Sequence, residues 1–589
     1  MQEKSDTPSV KGKNYADFSR DELIAEINRL KKTKKYGLVW EHKTEQVIED
    51  FKNGQQPYLE EVTDKRIENA KDEPTNLIIE GDNFDALSVL SYTHAGKIDV
   101  IYIDPPYNTG NKDFIYNDNY VDSEDAFRHS KWLSFMEPRL KLAKNLLAED
   151  GVIFISIDDN EQAALKEVCD EIMGADNFVQ MFIWHKKTQP SFLSKQVANV
   201  TEYIICYKKQ ELLTLKGGVT DVNKLVELLN ISNSKCERVL PAEPTIIKNE
   251  DYSGTIKAGI YGNGELAVVL KSDVIVEKGK PKTNVEMQGR FKWSQEKISE
   301  EINDGAIILI KSLSSLRPTV KRTNNVQNIK PPISLFSKYV NGIATNTDAS
   351  NELKRIFNGV TPMDFPKPSG LIKYIVNAKT FNKKDAIILD FFAGSGTTGH
   401  AVLELNKEDG GHRQFILCTN NGDKGPDSTK IAEEITYPRI KTVITGKRQD
   451  GGKYSDGISA NLRYYKIKHE QKLGSNDANR LEVSKHMEDI LQIKENAFEE
   501  VKNGRVYKLY KNSEKYLCLA FDAFEMEKII EKIAEENQEK LDTIIYSFSY
   551  SRDAFEDDYE ADFNIEFKAM PEGLLKTYLN ITESLRSED

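Results

Sequence analysis

The 589-residue sequence has few cysteines and no long apolar segment. Its five cysteines lie far apart, which argues against a zinc site or a disulfide framework and indicates a reducing cytoplasm. No run approaches the ~20 apolar residues that a membrane-spanning helix needs. The N-terminus, MQEKSDTPSVKGK, lacks the apolar centre of a secretory signal. We therefore expect a cytoplasmic protein with no membrane association and no metal site.

Basic charge is also scarce relative to acidic charge, and the net charge is −13. An acidic total does not exclude a nucleic-acid partner, but it requires any such surface to be a local basic patch. Charged residues make up 30% and hydrophobic residues 39%, which is typical of folded globular domains rather than of a disordered chain. At roughly 100–200 residues per domain, the length predicts three or four domains.

Short β-type segments alternate with helical patterns from about residue 75 onward. NLIIEGD, KIDVIYIDPPY and GVIFISID have the continuous apolar character of strands that are covered on both faces. Between them, NFDALSVLSYTH and DAFRHSKWLSFMEPRLKLAKNLLAEDG are helical patterns, and the second predicts a helix as far as Gly151. This alternation predicts an α/β fold with a doubly wound sheet.

The α/β pattern is interrupted between about Glu211 and Pro331, where glycines, lysines and short polar segments suggest an inserted domain of β character. It resumes with the helix GLIKYIVNA, the strand DAIILD, the helix TTGHAVLELNK and the strands RQFILCTNN and NLRYYKI. Before residue 75, SRDELIAEINRLKK predicts a helix. The predicted domains are an N-terminal helical region (1–74), two halves of one α/β domain (75–210 and 332–470), an insert (211–331) and a C-terminal α+β domain (471–589).

A glycine-rich turn follows the strand DAIILD. In DFFAGSGTTG, three glycines satisfy the pattern G-x-G-x-x-G directly before a helix. Such a turn lets the backbone approach a ligand closely while the helix N-terminus faces it. A tight turn without a ligand is the alternative interpretation. No G-x-x-x-x-G-K-[ST] phosphate loop occurs, which disfavours a nucleoside triphosphatase.

The residues around the glycine turn narrow the class of ligand. A dinucleotide site needs an acidic residue near the end of the next strand, but RQFILCTNN ends in Asn420 and Asn421. Asp390, Phe391 and Phe392 precede the glycines and favour a cationic, partly apolar ligand. S-adenosylmethionine, with its sulfonium, amino-acid and adenosine groups, has this character.

A second turn, Asp104-Pro105-Pro106-Tyr107, follows another predicted strand. Ligands of open α/β sheets bind beyond the carboxyl ends of the strands, where this turn should lie. The amino group of a base is a poor nucleophile, and acceptors aimed at its N–H groups favour tetrahedral geometry and take up positive charge. The Asp104 carboxylate and the Pro105 carbonyl would supply two acceptors, and proline would fix the carbonyl. Tyr107 would stack on a base rotated out of a duplex.

These motifs resemble those of the DNA amino-methyltransferases. DPPY precedes DFFAGSG with an insert between them, which is similar to the circularly permuted motif order of the beta group. The run YIDPPYNTGNKDFIYNDNY and the length resemble the modification (Mod) subunit of type III restriction–modification systems. FPKPSGLI, at 365–372, resembles the segment that closes over the methionine part of the cofactor. The resemblance spans about Thr75 to Ile467. It implies a Rossmann-like methyltransferase sheet, with its catalytic half at 75–210, its cofactor-binding half at 332–470 and a target-recognition domain in the insert.

The resemblance also implies particular site residues. The catalytic residues would be Asp104, Pro105, Pro106 and Tyr107. The cofactor would contact Asp82, Lys367, Pro368, Asp390, Phe391, Phe392, Gly394, Ser395, Gly396, Thr397 and Asn421. Many relatives keep an acidic residue for the ribose where Asn420 and Asn421 stand, and Asp82 fits equally well as a helix N-cap. The candidates for DNA contact are Asn108, Lys186, Lys187, Arg317, Lys321 and Arg322, with ordinary surface side chains as the alternative.

The predicted function is therefore a DNA adenine-N6 methyltransferase that flips its target base and uses S-adenosylmethionine. The implied partners are double-stranded DNA, a second copy of the chain and a helicase–nuclease restriction subunit. Cytosine-N4 methylation is an alternative, although those enzymes more often carry serine at the position of Asp104. A non-catalytic specificity subunit is a second alternative. A nicotinamide-dependent oxidoreductase would explain the glycines but not the turn from Asp104 to Tyr107.

Overall fold

The computed structural model describes most of the chain in two compact units. The main unit comprises Met1–Glu211, Ser337–Ile372 and Asp385–Asp589, and the insert unit comprises Leu212–Phe336 and Lys373–Lys384. The described residues are 19–20, 40–70, 73–110, 114–117, 119–189, 197–211, 214–219, 225–322, 329–422, 430–472, 476–547 and 561–586. The helix predicted for SRDELIAEINRLKK lies outside them, apart from its first two residues.

The first part of the main unit alternates strands with helices. Its helices are α1 (Gln46–Lys52), α2 (Asn83–Thr93), α3 (Arg128–Leu146) and α4 (Gln162–Cys169). Its strands are β1 (Gln55–Glu61), β2 (Thr75–Glu80), β3 (Ile98–Ile103), β4 (Ile115–Tyr116), β5 (Asn119–Tyr120), β6 (Leu147–Ile157), β7 (Phe178–His185) and β8 (Thr201–Lys208).

The insert unit consists mostly of short strands around its own hydrophobic core. Its strands are β9 (Gly218–Val219), β10 (Val226–Glu227), β11 (Cys236–Leu240), β12 (Thr245–Ile247), β13 (Gly254–Ile256), β14 (Gly259–Tyr261), β15 (Val268–Leu270), β16 (Val274–Glu277), β17 (Lys280–Pro281), β18 (Val285–Gly289), β19 (Ile307–Ile310), β20 (Thr319–Lys321), β21 (Ile329–Lys330) and β22 (Leu335–Phe336). Helix α5 (Gln295–Asn303) begins at Ser294, whose side chain caps it. The two larger sheets have the orders β10-β20-β19-β12 and β11-β18-β15-β14.

The chain then completes the main unit and adds the C-terminal region. The helices are α6 (Lys338–Asn341), α7 (Asn346–Ile356), α8 (Ser369–Thr380), α9 (Thr397–Asp409), α10 (Tyr437–Thr445), α11 (Asn476–Ser484), α12 (Met487–Glu495), α13 (Met526–Glu536) and α14 (Glu572–Arg586). The strands are β23 (Ile387–Asp390), β24 (Gln414–Thr419), β25 (Asn461–Gln471), β26 (Glu499–Asn503), β27 (Tyr507–Lys511), β28 (Lys515–Ala520), β29 (Asp542–Ser547) and β30 (Ile565–Ala569).

The central sheet of the main unit runs in the order β1-β25-β2-β24-β23-β3-β6-β8-β7. The strands from β25 to β6 pair in parallel, whereas β1, β8 and β7 are antiparallel to their neighbours. The parallel strands β2, β3 and β24 are apolar on both faces and almost completely buried. The predicted doubly wound α/β fold is confirmed. Strands β23 and β3 are neighbours in the sheet although they are nearly 290 residues apart in the sequence.

One helix boundary differs from the sequence prediction. Helix α3 ends at Leu146 rather than near Gly151, because Leu147 is extended and pairs with Ile98 of β3. The register then shifts, and pairing resumes between Val100 and Val152. A Cβ on Gly151 would lie 2.8 Å from the carbonyl oxygen of Ile98, so this bulge requires glycine. Parallel pairing therefore overrides the helical pattern of the residues before Gly151.

The C-terminal region forms a second sheet in the order β26-β27-β28-β29-β30. Residues of α12 and α14 contribute to the same hydrophobic core as the central sheet. The Asp489 carboxylate accepts a hydrogen bond from the Glu61 amide at 3.0 Å, and the Tyr578 hydroxyl donates to the Pro57 carbonyl. Within the described part of the chain, no helix combines the length and the apolar character needed to span a bilayer.

Candidate active site

The turn with the predicted catalytic role, residues 104–107 (the catalytic turn), leaves the sheet at the carboxyl end of β3. The ammonium of Lys367 donates to both carboxylate oxygens of Asp104 at 2.8 Å and to the Tyr107 hydroxyl at 2.9 Å. The same hydroxyl lies 2.9 Å from Asp104 Oδ1. The structure therefore brings Asp104, Tyr107 and Lys367 together in one hydrogen-bonded group. The sequence resemblance predicts that Lys367 contacts the cofactor, and in the structure its ammonium contacts the Asp104 carboxylate.

A second carboxylate, which no sequence motif indicates, completes this group. Glu202 comes from β8, and its Oε2 atom lies 3.2 Å from the Tyr107 hydroxyl and 3.4 Å from the Lys367 ammonium. Its other oxygen accepts a hydrogen bond from Lys186 at 2.9 Å. The half-buried Asp104 and the buried Glu202 thus both contact the Lys367 ammonium and the Tyr107 hydroxyl, and Glu202 also pairs with Lys186.

The electrostatic environment distinguishes these two carboxylates. Burial raises the pKa of Asp104, even though the Lys367 ammonium opposes that shift. Burial also acts on Glu202, but the ammonium groups of Lys367 and Lys186 outweigh it and lower the pKa of Glu202. For Lys367, burial favours the neutral amine, but Asp104 and Glu202 outweigh burial and raise its pKa. Asp104 is therefore the better proton acceptor, and Glu202 is the more firmly ionised carboxylate.

The backbone of the catalytic turn is fixed by helix α3 and by a buried side chain. The indole of Trp132 donates to the Pro106 carbonyl at 2.7 Å. Asn108 has a positive φ of 56° and is fully buried. Its amide donates to Glu161 at 2.5 Å and to the Arg128 carbonyl. Sequence resemblance proposed Asn108 for DNA contact, but this conformation directs it into the protein, where it holds the loop.

The glycine turn follows β23, which is the neighbour of β3 in the sheet. Asp390 accepts hydrogen bonds from the Phe392 amide at 3.0 Å and from the Thr398 hydroxyl at 2.5 Å. Burial raises the pKa of Asp390 to about 7. Gly394 and Gly396 have φ values of 48° and 79°, which side chains other than glycine rarely adopt.

A buried ionic cluster beneath the glycine turn is a further feature that the motifs do not predict. Arg439 of α10 donates to the Ser395 and Thr397 hydroxyls at 2.9 and 2.8 Å, and to Glu352 at 2.9 Å. Arg439 and His400 hold the pKa of Glu352 well below its usual range despite burial. The second oxygen of Glu352 accepts the Ser369 amide at the start of α8. This cluster ties the glycine turn to the segment that carries Lys367.

Lys367 connects the two turns directly. Its carbonyl accepts a hydrogen bond from the Thr397 hydroxyl at 3.1 Å, while its ammonium contacts Asp104. Pro368 follows it immediately and precedes α8. The catalytic turn and the glycine turn are therefore adjacent, as ligand binding at the carboxyl ends of neighbouring strands requires.

Asp82 and Asn421 lie at the ends of neighbouring strands. The Asp82 carboxylate caps α2 by accepting the Phe84 amide at 2.7 Å, and it also lies 3.3 Å from the Arg139 guanidinium. The Asn421 amide group donates to Glu80 at 2.7 Å, and its oxygen accepts the Glu433 amide at 3.1 Å. Asp82 therefore has the helix-capping role that its sequence position allowed. Its contact with a cofactor, and that of Asn421, remain predictions.

The basic residues proposed for DNA contact have different surroundings. Lys186 pairs with Glu202 in the candidate active site. Arg322 donates to Glu301 through Nε at 2.7 Å and through Nη2 at 2.6 Å. Lys321 is exposed, and Lys187 and Arg317 are half-buried. Arg322 and Lys186 are thus already paired with carboxylates. Phosphate contact by Lys321 and Lys187 stays a prediction.

Comparison with known proteins gives a family and several relatives. A family model described as a DNA methylase matches residues 98–424. The chain is 33% identical over 389 residues to the type III restriction-modification enzyme StyLTI Mod subunit of Salmonella typhimurium, covering 62% of this chain and 55% of that protein. It is 31% identical over 429 residues to the EcoPI Mod subunit of Escherichia phage P1, covering 66% of this chain and 63% of that protein. The chain therefore spans between about half and two thirds of these two relatives.

A shorter relative is matched over most of its length. The chain is 32% identical over 383 residues to the type II methyltransferase M.KpnI of Klebsiella pneumoniae. The match covers 64% of this chain and 87% of that protein. Among solved structures, the chain is similar to the PvuII DNA methyltransferase (cytosine-N4-specific), with 12% identity, a TM-score of 0.31, and coverage of 63% of this chain and 94% of that one.

Proposed function

This chain belongs to the DNA methylase family, and we propose that it transfers a methyl group from S-adenosylmethionine to N6 of adenine in duplex DNA. The target base would be flipped out of the helix, and the chain would serve as the Mod subunit of a type III restriction–modification system. The observation that carries this proposal is the meeting of the Asp104–Tyr107 turn with the glycine turn. Lys367 contacts both of them.

The glycine turn fits S-adenosylmethionine. A Cβ on Gly394 would lie 3.2 Å from the Met363 methyl group, and one on Gly396 would lie 3.1 Å from the Thr436 side chain, so the turn keeps its backbone open only with glycine. Bound there, the cofactor supplies an electrophilic methyl group. The residues that would hold it are Asp82, Pro368, Asp390, Phe391, Phe392, Gly394, Ser395, Gly396, Thr397 and Asn421.

The catalytic turn can orient and activate an amino group. The Asp104 carboxylate would accept one N–H of adenine N6, and the Pro105 carbonyl would accept the other. Within the described part of the chain, this carbonyl accepts no hydrogen bond. The Tyr107 ring would stack on the extruded base. Methyl transfer leaves an extra proton on N6, and the raised pKa of Asp104 suits its carboxylate to accept that proton.

The remaining parts of the function depend on the type III relatives. We propose that the insert unit reads the target sequence and that Lys187, Arg317 and Lys321 contact phosphates, which position a protein without naming its sequence. The C-terminal region would contact a second copy and a helicase–nuclease restriction subunit. The five cysteines are free thiols, and four of them are buried, which supports a cytoplasmic location.

Labelled S-adenosylmethionine tests the reaction directly. The protein is incubated with duplex DNA, the DNA is digested to nucleosides, and the methylated base is identified. We expect N6-methyladenine, with Asp104→Ala losing the label while it retains DNA binding. N4-methylcytosine would assign the chain to cytosine methylation, and DNA binding without any label would identify a specificity subunit. Sequencing of methylated DNA from an expressing host then gives the recognition site.

Assembly is tested separately. Sedimentation of the full chain measures whether it dimerises, and co-purification with a co-expressed restriction subunit measures the second contact. We expect truncation after Ile467 to abolish co-purification. A truncated chain that still binds the restriction subunit would exclude the C-terminal region as the contact.

A further inference from the structure

The Lys367 ammonium occupies the place where the proposed reaction needs the target amino group. Its nitrogen lies 2.8 Å from both oxygens of Asp104 and 2.9 Å from the Tyr107 hydroxyl. These are hydrogen-bond distances between a nitrogen donor and oxygen acceptors, as an adenine amino group would have. The lysine and the base amino group therefore compete for the same carboxylate.

A lysine that stayed on Asp104 would also oppose the reaction electrostatically. Positive charge develops on the amino nitrogen as it accepts the methyl group, and a neighbouring ammonium would raise the energy of that state. The side chain of Lys367 is only 8% exposed, so moving it to a buried position without a counter-charge would leave an unpaired buried charge, which is strongly unfavourable. The ammonium needs a second buried carboxylate within a short movement.

Glu202 provides that carboxylate. Its Oε2 atom lies 3.4 Å from the Lys367 nitrogen, and Lys186 holds its other oxygen at 2.9 Å. The Tyr107 hydroxyl lies within hydrogen-bond distance of Lys367 and of both carboxylates, so it can remain bonded while the ammonium moves. The destination is thus charged, fixed in place and already in contact.

We propose that Glu202 is a positioning residue that receives the Lys367 ammonium when the target base enters, and so releases Asp104 for the base. This inference rests on the proposed base-amino methyltransferase function. In the empty enzyme, Lys367 neutralises Asp104. In the base-bound enzyme, it pairs with Glu202 and leaves both Asp104 oxygens to accept hydrogen bonds. No covalent bond changes in this step, and the charge of each group is conserved.

The test uses the full chain and a duplex that keeps the target adenine and carries 2-aminopurine beside it in the recognition site, where the fluorescence rises when the neighbouring adenine leaves the stack. We expect Glu202→Gln to keep Lys367 on Asp104 and to weaken base insertion by about tenfold or more, because the base-competent population falls. Removing the competitor as well should restore insertion, so the double variant Glu202→Gln with Lys367→Met should insert the base more strongly than Glu202→Gln alone. A merely structural role for Glu202 predicts that the second substitution adds to the first loss.

The pH profile of methylation provides a second readout. Lys367→Met removes the cation that neutralises Asp104 in the empty enzyme, so the acid limb of the kcat/KM profile, which reports the free enzyme, should move to higher pH. Glu202→Gln leaves the lysine on Asp104 and should not move the limb upward. Binding of S-adenosylmethionine, measured by calorimetry for each variant, separates these effects from damage to the glycine turn.

Glu161→Gln is the matched control, since Glu161 is a buried carboxylate that holds Asn108 and no contact between it and Lys367 is observed among the described residues. Adding Lys367→Met to this variant should change insertion no more than the same substitution does in the wild type. The inference is overturned if Glu202→Gln inserts the base like the wild type, or if Lys367→Met fails to restore it. Absence of methylation by the wild type would instead refute the proposed function, so the two failures are distinguishable.

Discussion

Two neighbouring parallel strands, β3 and β23, each place an aspartate at the carboxyl edge of the sheet, and the two aspartates have different surroundings. Asp104 follows β3 and contacts the Lys367 ammonium with both oxygens. Asp390 ends β23 and contacts only an amide and a hydroxyl among the described residues. The turn after Asp104 is stiffened by two prolines, whereas the turn after Asp390 is opened by glycines with positive φ.

The difference shows how one residue type serves two purposes at adjacent positions. In the absence of a base, Asp104 has the Lys367 ammonium as a neighbouring cation, which opposes the effect of burial on its pKa. Asp390, without a cation, has its pKa raised to about 7 by burial and shapes the turn with neutral hydrogen bonds. Proline suits the turn that must hold a carbonyl still, and glycine suits the turn that must admit a ligand to its backbone.

The largest expected effect comes from Asp104→Asn. This change removes the negative charge that stabilises the developing cation, so methyl transfer should fall by about 100-fold to 1000-fold or more. Binding of S-adenosylmethionine should stay close to wild type, because the glycine turn is unchanged. Single-turnover kinetics with a calorimetric binding measurement separates the two steps. Equal losses in methyl transfer and in binding of S-adenosylmethionine would mean that the two turns do not have the separate functions proposed for them.

The next effect concerns the contribution of Asp390 to the stability of the folded protein. Its pKa is raised from 3.8 to about 7 in the folded protein, so the folded state binds a proton more tightly than the unfolded chain. Stability from this group should be greatest below about pH 4 and should fall by roughly 1.4 kcal/mol for each pH unit up to pH 7. The unfolding temperature of the wild type relative to Asp390→Asn should therefore decrease from pH 5 to pH 7. A difference that does not change over this range would contradict the assigned pKa.

A smaller effect is expected for Gly396→Ala in the glycine turn. The left-handed backbone costs the alanine about 1–2 kcal/mol, and its Cβ would lie 3.1 Å from the Thr436 side chain. We expect affinity for S-adenosylmethionine to fall by about tenfold, which calorimetric titration measures.

Gly410→Ala is the matched control for this change. Gly410 ends the same helix, α9, with φ 64°, and among the described residues no heavy atom lies within 4 Å of the position that its added methyl group would take. It should lose similar stability and keep its cofactor affinity. Equal losses of affinity in both variants would trace the effect to the helix rather than to the turn.

The smallest expected effect is for Asn421→Ala, at the end of the strand next to β23. It removes the hydrogen bonds to Glu80 and to the Glu433 amide, so we expect about 1 kcal/mol of lost stability. If Asn421 also contacts the cofactor ribose, affinity for S-adenosylmethionine should fall by about fivefold. An affinity equal to that of the wild type would remove Asn421 from the cofactor site.

Local patterns in the sequence predict the two turns and the strands and helices next to them, apart from the end of α3, because continuous apolar segments and glycine or proline turns determine structure over short distances. The active-site pairing is different. Glu202 lies on a strand without a motif, and Arg439 lies in a helix without one. Only the fold brings these two residues to the two turns. The resemblance placed Lys367 near the cofactor, but the contact of its ammonium depends on Asp104, which is 263 residues away.

Helix α3 contacts both sides of the site from one face. Trp132 bonds to the Pro106 carbonyl, and Arg139, seven positions later, contacts Asp82 and is paired with Glu45 by two hydrogen bonds. Seven residues of an α-helix rise about 10 Å. The helix therefore spaces the Pro106 carbonyl from the Asp82 carboxylate, which belong to the proposed base site and to the proposed cofactor site.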